Sequence, residues 1–206
     1  MNEFDIKAAE WDKNRMHSER AGAVAAAITT ELPLNKNMAA MEFGAGTGLL
    51  SFMLSEHLGS ITLIDNSEGM VKVLGEKLQE TDGASMKIVK ADLEHEDYTD
   101  EHFDLIYSLM VLHHVHDVET ILGKFSAMLR PGGYLAIADL YTEDGSFHGH
   151  GFTGHKGFDT GVLASLLEKY GFTEVKHRTV YDIEKMTDNN EKKHFGVFLM
   201  TAKRKQ

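Results

Sequence analysis

Apolar residues recur along this chain in two alternating rhythms. Short apolar runs at 38–43, 60–65, 85–90, 103–108 and 134–140 predict strands. The run at 103–108 is apolar enough to be buried on both faces. Between the runs, apolar residues return at three- and four-residue spacing. Met70, Val73, Leu74 and Leu78 form one such set. Val118, Ile121, Leu122, Phe125 and Leu129 form a second, and Leu163, Leu166, Leu167 and Tyr170 a third. That spacing lays an apolar stripe along one side of a helix. Ser67, Asp117 and either Asp159 or Thr160 stand where N-caps are needed. A further helix, 48–58, is closed by Gly59. Ahead of the first strand, Ala21, Val24, Ala25, Ile28 and Leu32 make another stripe, with Ser18 able to cap it and Pro33 ending it. Residues 4–15 read as an irregular arm or short helix. The chain closes with a strand at 172–180, a polar connection at 182–193 and a last strand at 194–204. The segment 141–157 is rich in glycine and histidine and has no period. Strand and helix therefore alternate, which predicts a mostly parallel sheet covered by helices on both faces. The closing pair of strands predicts one strand inserted antiparallel at the edge.

The first strand stops at Gly44, Gly46 and Gly48, and a new apolar pattern starts at Leu49. Strand, tight turn and helix is the reading. Glycine serves where the backbone takes positive φ or must approach a ligand closely, and the helix behind it points free N–H groups at the turn. The dinucleotide fingerprint would need its third glycine at position 49, which is Leu49. Glu42, near the strand's end, would also repel a pyrophosphate and suits a ligand with a cationic centre. Gly44, Asp65, Asp92 and Ser108 all fall at predicted carboxyl ends, where ligands of such sheets bind. Asp65, 17 residues after Gly48, can accept from ribose hydroxyls, and Asp92 from an adenine amino group.

Composition narrows the chemistry. Lys and Arg total 21 against 32 Asp and Glu, a net charge of −11. Such an acidic chain is a poor partner for nucleic acid through a general electrostatic footprint. There are no cysteines, which removes thiolate metal sites, cysteine nucleophiles and disulfides. No apolar leader opens the chain and no run reaches membrane-spanning length. A cytoplasmic protein is the expectation.

The motifs Glu42 to Gly48, Leu63-Ile64-Asp65-Asn66-Ser67-Glu68-Gly69-Met70, Ala91-Asp92-Leu93, Phe103-Asp104-Leu105-Ile106-Tyr107-Ser108, Leu112-His113-His114-Val115 and Leu129-Arg130-Pro131-Gly132-Gly133-Tyr134 follow one another in order. Together they resemble the class I S-adenosylmethionine-dependent methyltransferases, most nearly the small-molecule branch related to quinone-biosynthesis C-methyltransferases. The resemblance covers about residues 4 to 200. It implies a Rossmann-like three-layer α/β sandwich whose seven-stranded, mostly parallel sheet has an antiparallel last strand. It implies a single domain over 1–206: an arm and helix at 1–34 forming a lid, a cofactor-binding core at 38–140, and an acceptor side at 141–206. It implies S-adenosylmethionine as cofactor and S-adenosylhomocysteine as product. Gly44 and Gly46 would pass beneath the methionyl part, and Glu42 and Ala45 would also bind the cofactor. Asp65 would hold the ribose, with Asn66 and Met70 beside the adenosine. Asp92 and Leu93 would meet adenine, and Ser108 and Leu109 the methionyl side. Trp11 of the pair Trp11-Asp12 would fold over the cofactor, in a position usually held by tyrosine; it also reads as a core anchor.

The histidines admit three readings. His113, His114 and His116 follow the fourth strand, and His148, His150 and His155 lie in the loop after the fifth. They could be surface or lid residues, metal ligands, or general bases, since histidine titrates near neutrality. Without cysteines or a helical i, i+4 pair, no metal site is expected. His113, His114 and His155 are the candidates for proton transfer. The expected function is in-line methyl transfer to a small-molecule acceptor. An Asn/Asp-Pro-Pro-Tyr motif for base amino groups is absent after the fourth strand, which with the acidity disfavours nucleic acid as acceptor. Two rivals stand beside this: a protein that binds the cofactor without chemistry, and a nicotinamide-dependent dehydrogenase, which Leu49 and the closing strands disfavour.

Overall fold

The structure is a computed structural model that describes residues 3–81 and 85–206. Residues 1, 2 and 82–84, which the N-terminal and domain expectations include, lie outside the described part. The elements in chain order are α1 (Glu3–Lys7), a 3-10 turn (Ala8–Lys13), α2 (Arg15–Glu31), β1 (Ala39–Phe43), α3 (Leu49–Leu54), β2 (Ser60–Asp65), α4 (Glu68–Glu80), β3 (Met86–Lys90), β4 (Phe103–Leu109), a 3-10 turn (Leu112–His114), α5 (Val118–Met128), β5 (Leu129–Leu140), α6 (Thr160–Lys169), β6 (Phe172–Met186) and β7 (Lys192–Arg204). The seven strands form one sheet in the order β3-β2-β1-β4-β5-β7-β6. β7 pairs antiparallel with both β5 and β6, so the antiparallel strand lies one place in from the edge.

Period two along the strands divides the core. Ala40 of β1 and Leu105 and Tyr107 of β4 pack towards α2, α3 and α4. Met41, Phe43 and Ile106 pack towards α5 and α6. Glu42 therefore points to the α3 side, among fully buried neighbours such as Leu50 and Leu54. Each large apolar side chain buried in these layers contributes about 1.5–3 kcal/mol, enough to hold a few costly polar groups at the strand ends.

Two boundaries moved for physical reasons. The cap of α2 is Asn14, whose side chain accepts from the Met16 N–H, and not Ser18. The polar connection at 182–193 is mostly strand: β6 and β7 run on to the pairs Lys185–Lys193 and Met186–Lys192. Buried Ile183 and Phe195 give this hairpin an inner face, and Phe147 of the loop after β5 packs on Phe195 at 5.1 Å. That loop is anchored too. Its base is closed by Thr142 N–H to Phe158 O, Glu143 N–H to Lys156 O and Phe158 N–H to Leu140 O. Lys193 reaches Asp144 at 2.7 Å.

Candidate functional site

A cavity of about 1330 Å³ opens above the carboxyl ends of β1, β2, β3 and β4. Its floor at one end is the glycine turn. Gly44 has φ 68°, and a Cβ there would lie 2.5 Å from Val111. Gly46 has φ 55° and only Met70 Sδ within 4 Å of where a Cβ would sit, so its backbone faces open space. The Gly46 N–H donates to Asp65 Oδ2 at 2.7 Å, and the Ser67 N–H to Asp65 Oδ1 at 2.8 Å. The carboxylate thus ties the turn to the start of α4. Burial raises its pKa, partly offset by those two donors.

Glu42 lies beneath this turn, 2% exposed. It accepts from Ser51 Oγ, which also meets Tyr107 Oη at 2.5 Å. Desolvation pushes its pKa up to about 8, with the nearby Asp65 adding to the effect. Burial thus favours the protonated form of Glu42, and an approaching cation would draw that proton off. Asp92 and Leu93 close this end, Asp92 Oδ1 accepting from the Glu94 N–H at 3.0 Å.

The N-terminal arm covers the turn. Thr47 Oγ1 donates to Asp12 Oδ1 at 2.5 Å, and Lys77 Nζ meets Asp12 Oδ2 at 2.8 Å and the Thr47 carbonyl at 2.7 Å. Asp5 Oδ1 accepts from Ser67 Oγ and the Gly69 N–H at the start of α4. Trp11 lies against His17, with ring centroids 4.2 Å apart, and lines the cavity.

The far end is built differently. His113 is 1% exposed and Asp139, at the end of β5, is fully buried. His113 Nδ1 lies 2.6 Å from Asp139 Oδ1, and the His113 N–H donates to Oδ2 at 3.2 Å. His113 Nε2 has no hydrogen-bond partner. With Nδ1 against a carboxylate as the donor, Nε2 carries the free lone pair. His114 and His148 approach closely: one nitrogen from each of the three rings lies within 4.8 Å of the others. Phe152 stacks on His148 at 3.9 Å. Phe147, Lys185 and Arg20 complete the wall.

Most expected site residues meet here. Trp11, Glu42, Gly44, Ala45, Gly46, Asp65, Asn66, Met70, Asp92, Leu93, Leu109, His113 and His114 all line the cavity. Ser108 does not: β4 runs one residue further, to Leu109, so Ser108 is 1% exposed inside the sheet with its hydroxyl unpartnered. His155 does not either. Its N–H donates to the His113 carbonyl, and the exposed ring rests against Phe158 at 5.4 Å. Asp139 and Arg20 were not singled out for the site, and His148 was named among the loop histidines but not chosen for proton transfer. The same strand-end argument that found Asp65 applies to Asp139. Arg20 stands four and eight residues before buried Val24 and Ile28, a charge on an apolar stripe.

No helix among the described residues is long and apolar enough to cross a membrane. The profile of a methyltransferase domain matches residues 41–137. An uncharacterized methyltransferase of Schizosaccharomyces pombe is 30% identical over 148 residues, 64% of this chain and 52% of that protein. The chain thus spans about half the length of that relative. The ubiquinone/menaquinone biosynthesis C-methyltransferase of Psychromonas ingrahamii is 30% identical over 113 residues, 53% of this chain and 45% of its own. Among solved structures, a chain in the complex of the Haloferax volcanii Trm112 methyltransferase activator with a methyltransferase has a TM-score of 0.80. It is 19% identical and covers 100% of this chain and 99% of that one. The N-methyltransferase NodS of Bradyrhizobium japonicum, solved with S-adenosylhomocysteine, has a TM-score of 0.69 at 19% identity, over 95% of this chain and 90% of its own. With the strand order, the glycine turn and the strand-end acids, these matches give residues 41–137 a methyltransferase domain and the chain the fold of the class I S-adenosylmethionine-dependent methyltransferases.

Proposed function

We propose that this chain methylates a small-molecule acceptor by in-line transfer from S-adenosylmethionine. One observation carries the reading: a single cavity joins the glycine turn and Asp65 to the His113–Asp139 pair. At about 1330 Å³ it exceeds the roughly 300–1,000 Å³ of a one-ligand pocket, which leaves room for cofactor and acceptor together. The cofactor, when bound, supplies a methyl electrophile and a neutral thioether leaving group. The residues of the near end fit it. Asp65 and Asp92 accept from hydroxyl and amino groups, Gly46 allows close approach, and Glu42 answers a cation. At the far end, His113 Nε2 takes the proton that an acceptor nucleophile loses as its lone pair bonds to the methyl carbon. Asp139 holds the imidazole in the tautomer that allows this and stabilises the imidazolium. The arm at 3–31 and the loop at 141–158 act as covers that exclude water and hold the acceptor in line. Net charge and an enclosed acceptor end favour a small molecule over nucleic acid.

The test is calorimetric titration with S-adenosylmethionine, S-adenosylhomocysteine and NAD, followed by a small-acceptor screen that reads S-adenosylhomocysteine release. Micromolar binding of both sulfur nucleosides, none of NAD, and acceptor-dependent release are expected. Folded protein that binds neither sulfur nucleoside would sink the reading. Tight binding with no turnover on any acceptor would leave a cofactor-sensing protein in its place.

A further inference from the structure

We infer that Met110 is the wall beside the transferring methyl group, and that it limits the cavity there to a one-carbon substituent on the cofactor's sulfur. The inference rests on the reading that methyl transfer runs between the two ends of the cavity.

Met110 follows directly on β4, whose last pair with β5 is Leu109–Ala138. Its N–H donates to the Ala138 carbonyl at 2.8 Å. There the chain leaves its extended path, because Met110 has φ 59°. The change of direction serves both ends. One residue on, Val111 lies over the glycine turn, where a Cβ at Gly44 would meet both its γ carbons at 2.5 Å. Three residues on, His113 is back beside β5, on Asp139, the neighbour of Ala138. Met110 is thus the joint between the turn and the histidine pair, and its half-buried side chain lines the cavity.

The residue type is the unexpected part. A left-handed backbone crowds any Cβ, and glycine takes it at no steric cost. Most of this chain follows that rule: among the described residues nine glycines have positive φ, against Met110, Glu174 and Asn190. Glu174 and Asn190 are exposed, and of the three only Met110 lines the cavity. Strained residues persist where the surrounding structure over-determines them, and they gather at functional sites. Glycine would supply the turn and the bond to Ala138 equally well. What methionine adds is a side chain: long, unbranched and polarizable, able to fill an irregular gap. It packs against the apolar cluster on the α2 and α3 side of the sheet, so the wall is braced from behind. Gly46 leaves its backbone open to a ligand, whereas Met110 fills the space at the joint. Together they give the body of the cofactor a seat and its sulfur little room on the acceptor side.

The experiment compares wild type with Met110→Gly, Met110→Ala and Met110→Leu. S-adenosylhomocysteine, S-adenosylmethionine and its S-allyl analogue, in which allyl replaces methyl, are titrated into each by calorimetry. Melting temperatures are taken without ligand. Wild type should bind the allyl analogue at least tenfold more weakly than S-adenosylmethionine. Met110→Gly and Met110→Ala should bring the two within threefold, while Met110→Leu, of similar volume, keeps the wild-type preference. S-adenosylhomocysteine, which has no substituent to fit, should bind all three variants within threefold of wild type. Met110→Gly should melt above Met110→Ala, since both lack the side chain and only alanine keeps the strain. Three outcomes overturn the inference: a wild-type preference below tenfold; a preference that survives in Met110→Gly or Met110→Ala; or Met110→Ala melting at or above Met110→Gly, which would remove the strain on which the argument stands. Either small variant decides the preference if the other fails to fold. Failure of wild type to bind S-adenosylhomocysteine would instead strike the cofactor reading itself.

Discussion

The two ends of the cavity are made in different ways. The near end is backbone: a glycine turn, two strand ends and a helix start, tied together by main-chain N–H groups that donate to Asp65. The far end is side chains gathered from α2, the turn after β4, the end of β5, the loop at 141–158 and the β6–β7 hairpin. The near end comes with the parallel sheet itself. The far end depends on contacts between segments distant in sequence, such as His113 with Asp139 and Phe147 with Phe195. The difference teaches where binding and selectivity divide: the sheet fixes what any ligand of the turn must look like, and the added segments choose its neighbour.

The largest expected effect breaks the far end alone. His113→Gln should lower turnover by about a hundred- to ten-thousand-fold, the range of a lost general base. Affinity for S-adenosylhomocysteine should stay within threefold. Asp139→Asn should follow it, because an amide disturbs the tautomer that leaves Nε2 basic. Equal losses of turnover and cofactor affinity would show that the two ends are not separable. Next in size is the converse. Asp65→Ala should weaken S-adenosylhomocysteine by about a hundredfold, or roughly 3 kcal/mol for hydrogen bonds to a charged group. Part of that loss comes from freeing the Gly46 N–H, so Asp65→Asn should recover some of it.

A smaller effect tests Glu42 through pH. Its pKa lies near 8 in the folded chain against an ordinary 4.5. Its contribution to stability is thus full below about 4.5 and is lost as pH rises towards 8, because only the unfolded chain ionises it cheaply. Wild type should lose melting temperature relative to Glu42→Gln between pH 5 and 8.5. Binding of S-adenosylmethionine at pH 7 should also release about one proton, measurable as a buffer-dependent enthalpy. No release would mean that Glu42 does not face the cation.

The same division explains what could be read from the sequence. Period-two runs, helical stripes and glycine spacing are local, and they located every strand of the sheet, the turn and the strand-end positions of Asp65 and Asp92. Ser108 was misplaced because one extra residue pairs in β4, and hydrogen bonding across a sheet leaves no mark in a local pattern. The 182–193 stretch looked like a polar connection because only one face of that hairpin is covered, by a loop that carries no period. Arg20 and Asp139 were visible as residues, but their shared wall is a product of topology. His155 looked equivalent to His148 in sequence. The closure of the loop's base turned one outward and brought the other to His113.

A still smaller effect concerns the cover. Asp12→Asn weakens the contacts to Thr47 and Lys77, which are partly exposed and worth about 1 kcal/mol or less. S-adenosylhomocysteine should bind a few-fold more weakly and dissociate faster, with little change in melting temperature. A change in melting temperature without a change in dissociation would make the arm structural.

The smallest effect should come from removing metal. A buried histidine held by a carboxylate at 2.6 Å is the arrangement of a proton-transfer base, and equally of a metal ligand with its supporting acid. Separation decides between them. Nitrogens about 2.0–2.1 Å from a tetrahedral zinc lie roughly 3.3 Å apart, while those of His113, His114 and His148 spread to 4.8 Å. Phe152 stacked on His148 would have to shift for the rings to close in. Turnover should therefore survive exhaustive chelation within twofold, and His148→Gln should cost much less than His113→Gln. Loss of activity on chelation, restored by zinc or cobalt and abolished alike by either histidine variant, would replace the base with a metal and make the far end a three-histidine centre.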